Sequence, residues 1–256
     1  MEQPDQITAC LIIIGNEILS GRTQDANLAV IGKKCDTLGI RLTEARVIPD
    51  DEEDIVTTVN ICRAEFTYVF TTGGIGPTHD DITAAAIARA FDVAVERNEE
   101  AVNALDRYYE PGLLTEARLK MADIPEGARL IDNPVSGAPG FQLENVFVLP
   151  GVPSIMEAMF DGLTGRLVGG DPILTENILT NLPESVIATG LEAVQEKYPD
   201  VSMGSYPYFK KGKLGVNLVL RGIDSARMNA AAEDLSATIL GLDGKVLKRL
   251  SPGMTS

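Results

Sequence analysis

Basic residues are scarce in this chain. Lys and Arg number 22 against 37 Asp and Glu, a formal net charge of −15. Such a chain repels nucleic acid unless one face is strongly basic. The tight basic cluster Lys210, Lys211 and Lys213 is too short for that, so no nucleic-acid partner is expected. Cysteine is also sparse. Cys10, Cys35 and Cys62 are odd in number, far apart and set among apolar neighbours, a pattern that predicts reduced, buried thiols. The one histidine, His79, excludes a His/Cys zinc site within a single chain. No Gly-x-Ser-x-Gly elbow accompanies it, which argues against a hydrolase triad. Any metal is therefore expected to be a hard cation such as Mg²⁺ on carboxylate oxygens. Long apolar runs are missing too. The run Leu11 to Ile14 falls far short of the roughly 20 residues of a membrane span. The acidic start Met-Glu-Gln-Pro-Asp-Gln is unlike a secretory or transit peptide. A cytoplasmic protein with no membrane partner is expected.

What remains is an ordinary globular composition, 45% hydrophobic and 23% charged. A length of 256 residues allows one large domain or two small ones. The first 165 residues alternate strand and helix patterns. Strands are predicted at Ala9 to Ile14, Arg41 to Ile48, Tyr68 to Thr71, Ala128 to Ile131 and Val146 to Leu149. A helix capped by Asp25 is predicted to face Leu28, Ile31, Cys35 and Leu38 inward. An acidic helix starts at Asp50 to Asp54. An alanine-rich helix runs from about Asp80 to Phe91, and further helices over 97–122 break at Pro111-Gly112. Ser154 and Glu157 match a capping box for a helix to about Leu163. The Gly-rich stretch 165–172 reads as a boundary, giving domains 1–168 and 169–256. The second domain reads βαββαβ, the ferredoxin-like split arrangement.

Four turns in the first domain follow strands: Gly15-Asn16-Glu17, Pro49-Asp50-Asp51, Thr72 to Thr78, and Pro150-Gly151-Val152-Pro153. In an open parallel sheet such turns share one edge, where ligands bind. The glycines of Gly73-Gly74-Ile75-Gly76 let backbone approach a phosphate, with a helix N-terminus next in line. No Gly-Lys-Ser/Thr follows, and a Gly-x-Gly-x-x-Gly pattern fails at His79. Taken alone, the segment reads equally well as a tight strand-to-helix turn. Asp80 and Asp81 fit a role at the helix dipole. A carboxylate about 4 Å from a phosphate charge nevertheless costs on the order of 4 kcal/mol at an effective dielectric of 20. Phosphate beside ionised aspartates therefore calls for a bridging divalent cation, with Glu17 and Asp50 near enough in the topology to complete an oxygen shell. His79, Arg22, Arg118 and Lys120 are weaker candidates for ligand contact. Tyr206, Tyr208 and Phe209 read as covering the second domain's own core.

Gly15-Asn16-Glu17-Ile18-Leu19-Ser20-Gly21, Thr72 to Thr83, Gly137-Ala138-Pro139-Gly140-Phe141 and Leu149 to Pro153 occur in that order. Together they resemble the molybdopterin-binding (MogA/MoaB-like) domain family in its CinA-like form, over residues 7–165. Gly204 to Tyr206 within the βαββαβ tail resembles the middle region of the same group. The resemblance implies a three-layer α/β sandwich around a mostly parallel sheet, and often a homo-oligomer. It implies binding of a nucleotide or pterin pyrophosphate through Thr72, Gly73, Gly74, Gly76, Thr78, Gly137, Pro150 and Gly151. Asp50 and Asp81 fall on catalytic positions, and Asp81, Asp80 and Glu17 on a divalent cation. The activity implied is metal-dependent cleavage of a pyrophosphate of the ADP-ribose or FAD type. The alternatives are a non-catalytic binding module, or molybdopterin adenylyltransfer in molybdenum cofactor biosynthesis. CinA-type chains often carry Glu where this one has Ile155, and MogA-type chains carry basic residues where this one has His79-Asp80.

Overall fold

The computed structural model describes residues 7–210 and 212–250, without the side chains of Lys210 and Lys213. The basic cluster noted above thus lies outside the described side chains. The chain divides between Gly170 and Asp171 into two compact units.

The first unit is built on a six-stranded sheet. Its elements are β1 (Thr8–Ile14), α1 (Asn16–Leu19), α2 (Asn27–Thr37), β2 (Arg41–Ile48), α3 (Glu52–Glu65), β3 (Tyr68–Thr72) and α4 (Thr83–Ala90). There follow β4 (Val95–Arg97), α5 (Glu99–Tyr108), α6 (Glu116–Leu119), β5 (Asp123–Pro125), β6 (Arg129–Ile131), β7 (Gly140–Leu143), β8 (Val146–Leu149) and α7 (Pro153–Leu163). The strand order is β2-β1-β3-β8-β7-β6. The first four strands run parallel, and β7 runs antiparallel to both β8 and β6. Strands β4 and β5 form a separate antiparallel pair.

Side-chain alternation explains the layering. Cys10, Ile12 and Ile14 point into one core with α3 and α4, while Ala9, Leu11 and Ile13 point into the other with α2 and α7. Strand β8 divides likewise, Val146 and Val148 against Phe147 and Leu149. Every one of these side chains is buried, which suits a parallel sheet covered on both faces. Each is worth roughly 1.5–3 kcal/mol of burial for the larger aliphatics and Phe. Phe70 anchors the second core, with ring centroids 5.5 Å from Phe147 and 5.1 Å from Phe160. The three cysteines are free and buried. The Cys10 thiol donates to the Cys62 sulfur at 3.5 Å, and this bond and then burial push its pKa up, while burial pushes Cys35 up to about 12.

The second unit comprises β9 (Leu174–Thr180), α8 (Glu184–Lys197), β10 (Ser202–Lys210), β11 (Lys213–Gly222), α9 (Ser225–Gly241) and β12 (Val246–Leu250). Its antiparallel sheet has the order β10-β11-β9-β12, as the βαββαβ reading requires. Tyr206 and Phe209 do not cover its core: they are 59% and 71% exposed, whereas Tyr208 is half-buried and donates to the Thr180 carbonyl. No helix of the described residues is long and apolar enough to cross a membrane.

Three local expectations need correction. Helix α2 begins at Asn27, and its buried positions are Asn27, Ile31 and Cys35, so Leu28 faces outward at 41% exposure. Asp25 still accepts the Leu28 N–H at 2.9 Å, acting from one residue before the N-cap. Helix α4 begins at Thr83, leaving Asp80 and Asp81 in the preceding turn instead of at the helix dipole. Ser154 caps nothing, because Pro153 already opens α7 behind Val152.

Candidate functional site

The carboxyl ends of β1, β2, β3 and β8 open onto one crevice of about 520 Å³. It is lined by Glu17 after β1, Asp50 after β2, Gly73, Gly74, Gly76, Asp80 and Asp81 after β3, and Pro150 and Gly151 after β8. Most of the residues singled out in the sequence therefore meet here. Three do not. Thr72 is buried behind the loop in a small cavity of about 60 Å³. Thr78 is exposed and is bonded to Asp80 and Asp81. Gly137 lines a different basin, seated against Tyr108.

The Gly-rich loop has its shape for steric reasons. Gly73 has φ +106°, and a Cβ there would stand 2.2 Å from the Ile14 carbonyl oxygen. Gly74 has φ +65°, and a Cβ there would stand 2.2 Å from the Thr83 hydroxyl. The loop is closed by Gly73 N–H to the Leu149 carbonyl at 3.1 Å and by Thr83 N–H to the Gly74 carbonyl at 3.0 Å. The Thr83 hydroxyl adds a bond to the Gly73 carbonyl at 3.1 Å. The first N–H of α4 is thus taken up in holding the loop, contrary to the expectation that it faces a ligand. The N–H groups of Gly74, Ile75 and Gly76, by contrast, donate to no described residue. Successive unpaired amides of this kind can cradle an anion.

The acids are positioned individually. Asn16 N–H donates to Asp50 Oδ2 at 2.8 Å, tying the end of β2 to the turn after β1. Thr78 N–H donates to Asp81 Oδ2 at 2.8 Å. The Thr78 hydroxyl lies within hydrogen-bond reach of both Asp81 and Asp80 and has one proton to give. It, and next Asp80's own N–H, hold the Asp80 carboxyl below the ordinary value of 3.8. Lys120 donates to the Thr78 carbonyl, fastening the turn from outside. Arg118 is turned away, onto the Leu113 carbonyl and the Tyr109 ring. His79 is exposed and does not line the crevice. Among the described residues no Lys or Arg lines this crevice, so four carboxylates stand there without a cationic neighbour in the lining. Among the described residues no three His, Cys, Asp or Glu side chains gather closely enough to hold a metal ion by themselves.

Two features escaped the sequence reading. Asn27, 3% exposed, donates from Nδ2 to the Gly151 carbonyl at 2.9 Å and so fixes the β8 turn. That turn brings Gly151 against Gly73, where an added Cβ would be 3.5 Å from the Gly73 Cα. The signal was a polar residue at a buried helical spacing from Ile31 and Cys35. The second is an apolar pocket of about 190 Å³ bordered by the loop and lined by Ile75, Val95, Met121, Ile124 and Phe141. Gly74, Gly76 and Asp81 border both spaces.

Comparison with known proteins agrees with this fold. Residues 10–168 match the family model described as a probable molybdopterin binding domain, and residues 172–241 match the FAD synthase middle domain. A protein of Pyrobaculum calidifontis is 38% identical over 211 residues, covering 78% of this chain and 80% of that one. A probable FAD synthase of Caenorhabditis elegans is 30% identical over 264 residues, covering 93% of this chain and 51% of its own length. The crystal structure of the protein CinA, of unknown function, from Thermoplasma acidophilum matches with a TM-score of 0.58 at 36% identity. It covers 62% of this chain and 98% of that one.

Proposed function

Because the chain belongs to the molybdopterin-binding domain family in its CinA-like form, we propose that its first unit binds a nucleotide or pterin pyrophosphate and cleaves it. The class is a divalent-metal-dependent pyrophosphatase of the ADP-ribose or FAD type. The observation that carries this reading is the free amide run Gly74 to Gly76, set between an acid-lined crevice and an apolar pocket. Phosphate oxygens accept from the amides, and a flat ring packs against Met121, Ile124 and Phe141. The relative named a probable FAD synthase supports a flavin or adenine nucleotide as ligand.

The lining fits a cation only in company with phosphate. The chain gathers no three-residue cluster, yet Mg²⁺ commonly uses one or two carboxylates together with substrate phosphates. Asp81, with Asp80 and Glu17 beside the same crevice, would supply those carboxylates. When bound, the cation neutralises charge on the phosphoryl oxygens. Asp50, with one oxygen held by Asn16, keeps the other to orient a water and accept its proton. The water oxygen bonds to one phosphorus, the bridging P–O bond breaks, and AMP leaves with the second phosphate monoester. The family also implies self-association, which belongs to this reading.

A second reading, a binding module without turnover, is favoured by Ile155, which lines the crevice where CinA-type chains often carry Glu. Adenylyltransfer to molybdopterin is the third. The test is incubation with ADP-ribose, FAD, NAD or ATP and Mg²⁺, Mn²⁺ or Co²⁺, read as AMP release. Release from ADP-ribose or FAD is the expected result. Binding without release would leave the module reading, and turnover that requires added molybdopterin would establish the transferase.

A further inference from the structure

The first unit has a larger basin, of about 800 Å³, away from the Gly-rich loop. It is lined by Arg107 on α5, Arg129 on β6 and Arg166 beyond α7, with Glu100, Asp132 and Asn133. We propose that this basin is a second anion site, one that takes a small polyphosphate, independently of how the Gly-rich loop is used.

In a chain of 37 acids and 22 bases, arginines readily find carboxylates. Arg46, Arg63, Arg89, Arg97, Arg227 and Arg249 all do. Arg107, Arg129 and Arg166 form an ion pair with none of the described residues, as is also true of Arg22 and Arg118, but these three converge on one concave surface. Arg166 is half-buried. Its Nη2 donates to the Leu130 carbonyl at 2.7 Å, while its Nη1 is buried with no hydrogen-bond partner. A partly desolvated guanidinium without a counter-charge is unfavourable, and a bound anion offsets that cost. Arg107 and Arg129 are exposed, so their planar donor forks are free to close on phosphate oxygens.

The two cavities differ in charge. The arginine basin carries three guanidiniums against Glu100 and Asp132, whereas the loop crevice carries four acids and, among the described residues, no base. Without a divalent metal, a multiply charged anion therefore favours the basin. The volume lies within the roughly 300–1,000 Å³ of small-molecule sites. The wall between the cavities is a rigid turn. Asn133 accepts the N–H groups of Val135 and Ser136 at 3.0 Å each and donates to the Ala138 carbonyl at 2.8 Å. Gly137, at φ +72°, lets that turn lie against Tyr108, where a Cβ would come within 2.4 Å of the Tyr108 Cβ. This gives a role to the glycine that the loop crevice leaves unused.

The experiment is hydrogen exchange on the full chain with inorganic tripolyphosphate in metal-free buffer, with citrate as a polycarboxylate control. Protection is expected over residues 129–137. In R107Q/R129Q the apparent Kd read at that segment should rise at least tenfold, with residues 72–81 responding as in the parent. Both substitutions are at exposed positions, and an unchanged melting curve will confirm folding. Protection that persists in the double variant, or that is confined to residues 72–81, would overturn the proposal. Tighter protection by citrate would overturn the polyphosphate assignment. A change of oligomeric state in the double variant without any tripolyphosphate effect would make the basin a self-association surface instead. Failure here leaves the loop reading standing, since that site is tested with metal and AMP release.

Discussion

Asp81 combines two roles that one substitution separates. Its Oδ2 closes the loop by accepting Thr78 N–H, and its charge faces the crevice. Asp81→Asn keeps an acceptor for Thr78, so stability should change by less than about 1 kcal/mol. Metal-dependent turnover should fall at least tenfold, while metal-free affinity for a phosphate ligand should rise, because one repulsive charge is gone. Calorimetric titration with and without Mg²⁺ checks both, and unchanged values in each would reduce Asp81 to a turn residue. Asp80 gives a pH test. Its carboxyl is held below 3.8 in the folded chain, chiefly by Thr78, so its contribution is complete above 3.8 and is lost as pH falls through the lower, folded value. A carboxyl NMR titration should therefore place the Asp80 midpoint below 3.8, and Thr78→Val should bring it back up. A midpoint insensitive to Thr78→Val would remove the hydroxyl as the cause. The residue types at the site were legible because Gly, Asp and Glu cluster after predicted strands. Asn27 was not, since its importance lies in a bond to Gly151 across 124 positions of sequence.

At the scale of elements, the long apolar strands and the helices with strong spacing could be read directly. Helix α7 ends at the predicted Leu163, and β2 falls on Arg41 to Ile48. The short strands β4, β5 and β7 were missed, being three or four residues long and fixed by pairing instead of pattern. The start of α4 was misplaced for a similar reason. Asp80 and Asp81 look like dipole acids, but Thr83 is drawn into the helix start by its two bonds to the Gly73-Gly74 carbonyls. That strand–loop–helix unit makes a firm prediction. Gly74→Ala would place a Cβ in the left-handed region and against Thr83, so it should destabilise the first unit by about 1–3 kcal/mol. Ligand affinity should fall with it. Denaturant melts and a binding titration measure this, and a fully stable variant would show that the loop relaxes without its glycines.

On the scale of the whole molecule, the order of strands and helices was enough to anticipate a covered parallel sheet followed by a small antiparallel one. The cavities were not anticipated. The apolar pocket joins residues from 74 to 141, and the arginine basin joins residues from 98 to 166, so neither leaves a local trace in the sequence. The central claim is that phosphate sits on the amides of Gly74, Ile75 and Gly76. Its most direct test is backbone amide NMR of the full chain titrated with ADP-ribose and Mg²⁺. The account predicts large downfield shifts and slowed exchange at those three amides, with Gly73, already bonded to Leu149, moving little. Saturable binding that leaves Gly74 to Gly76 unshifted, with changes confined to the β10–β11 hairpin, would contradict it.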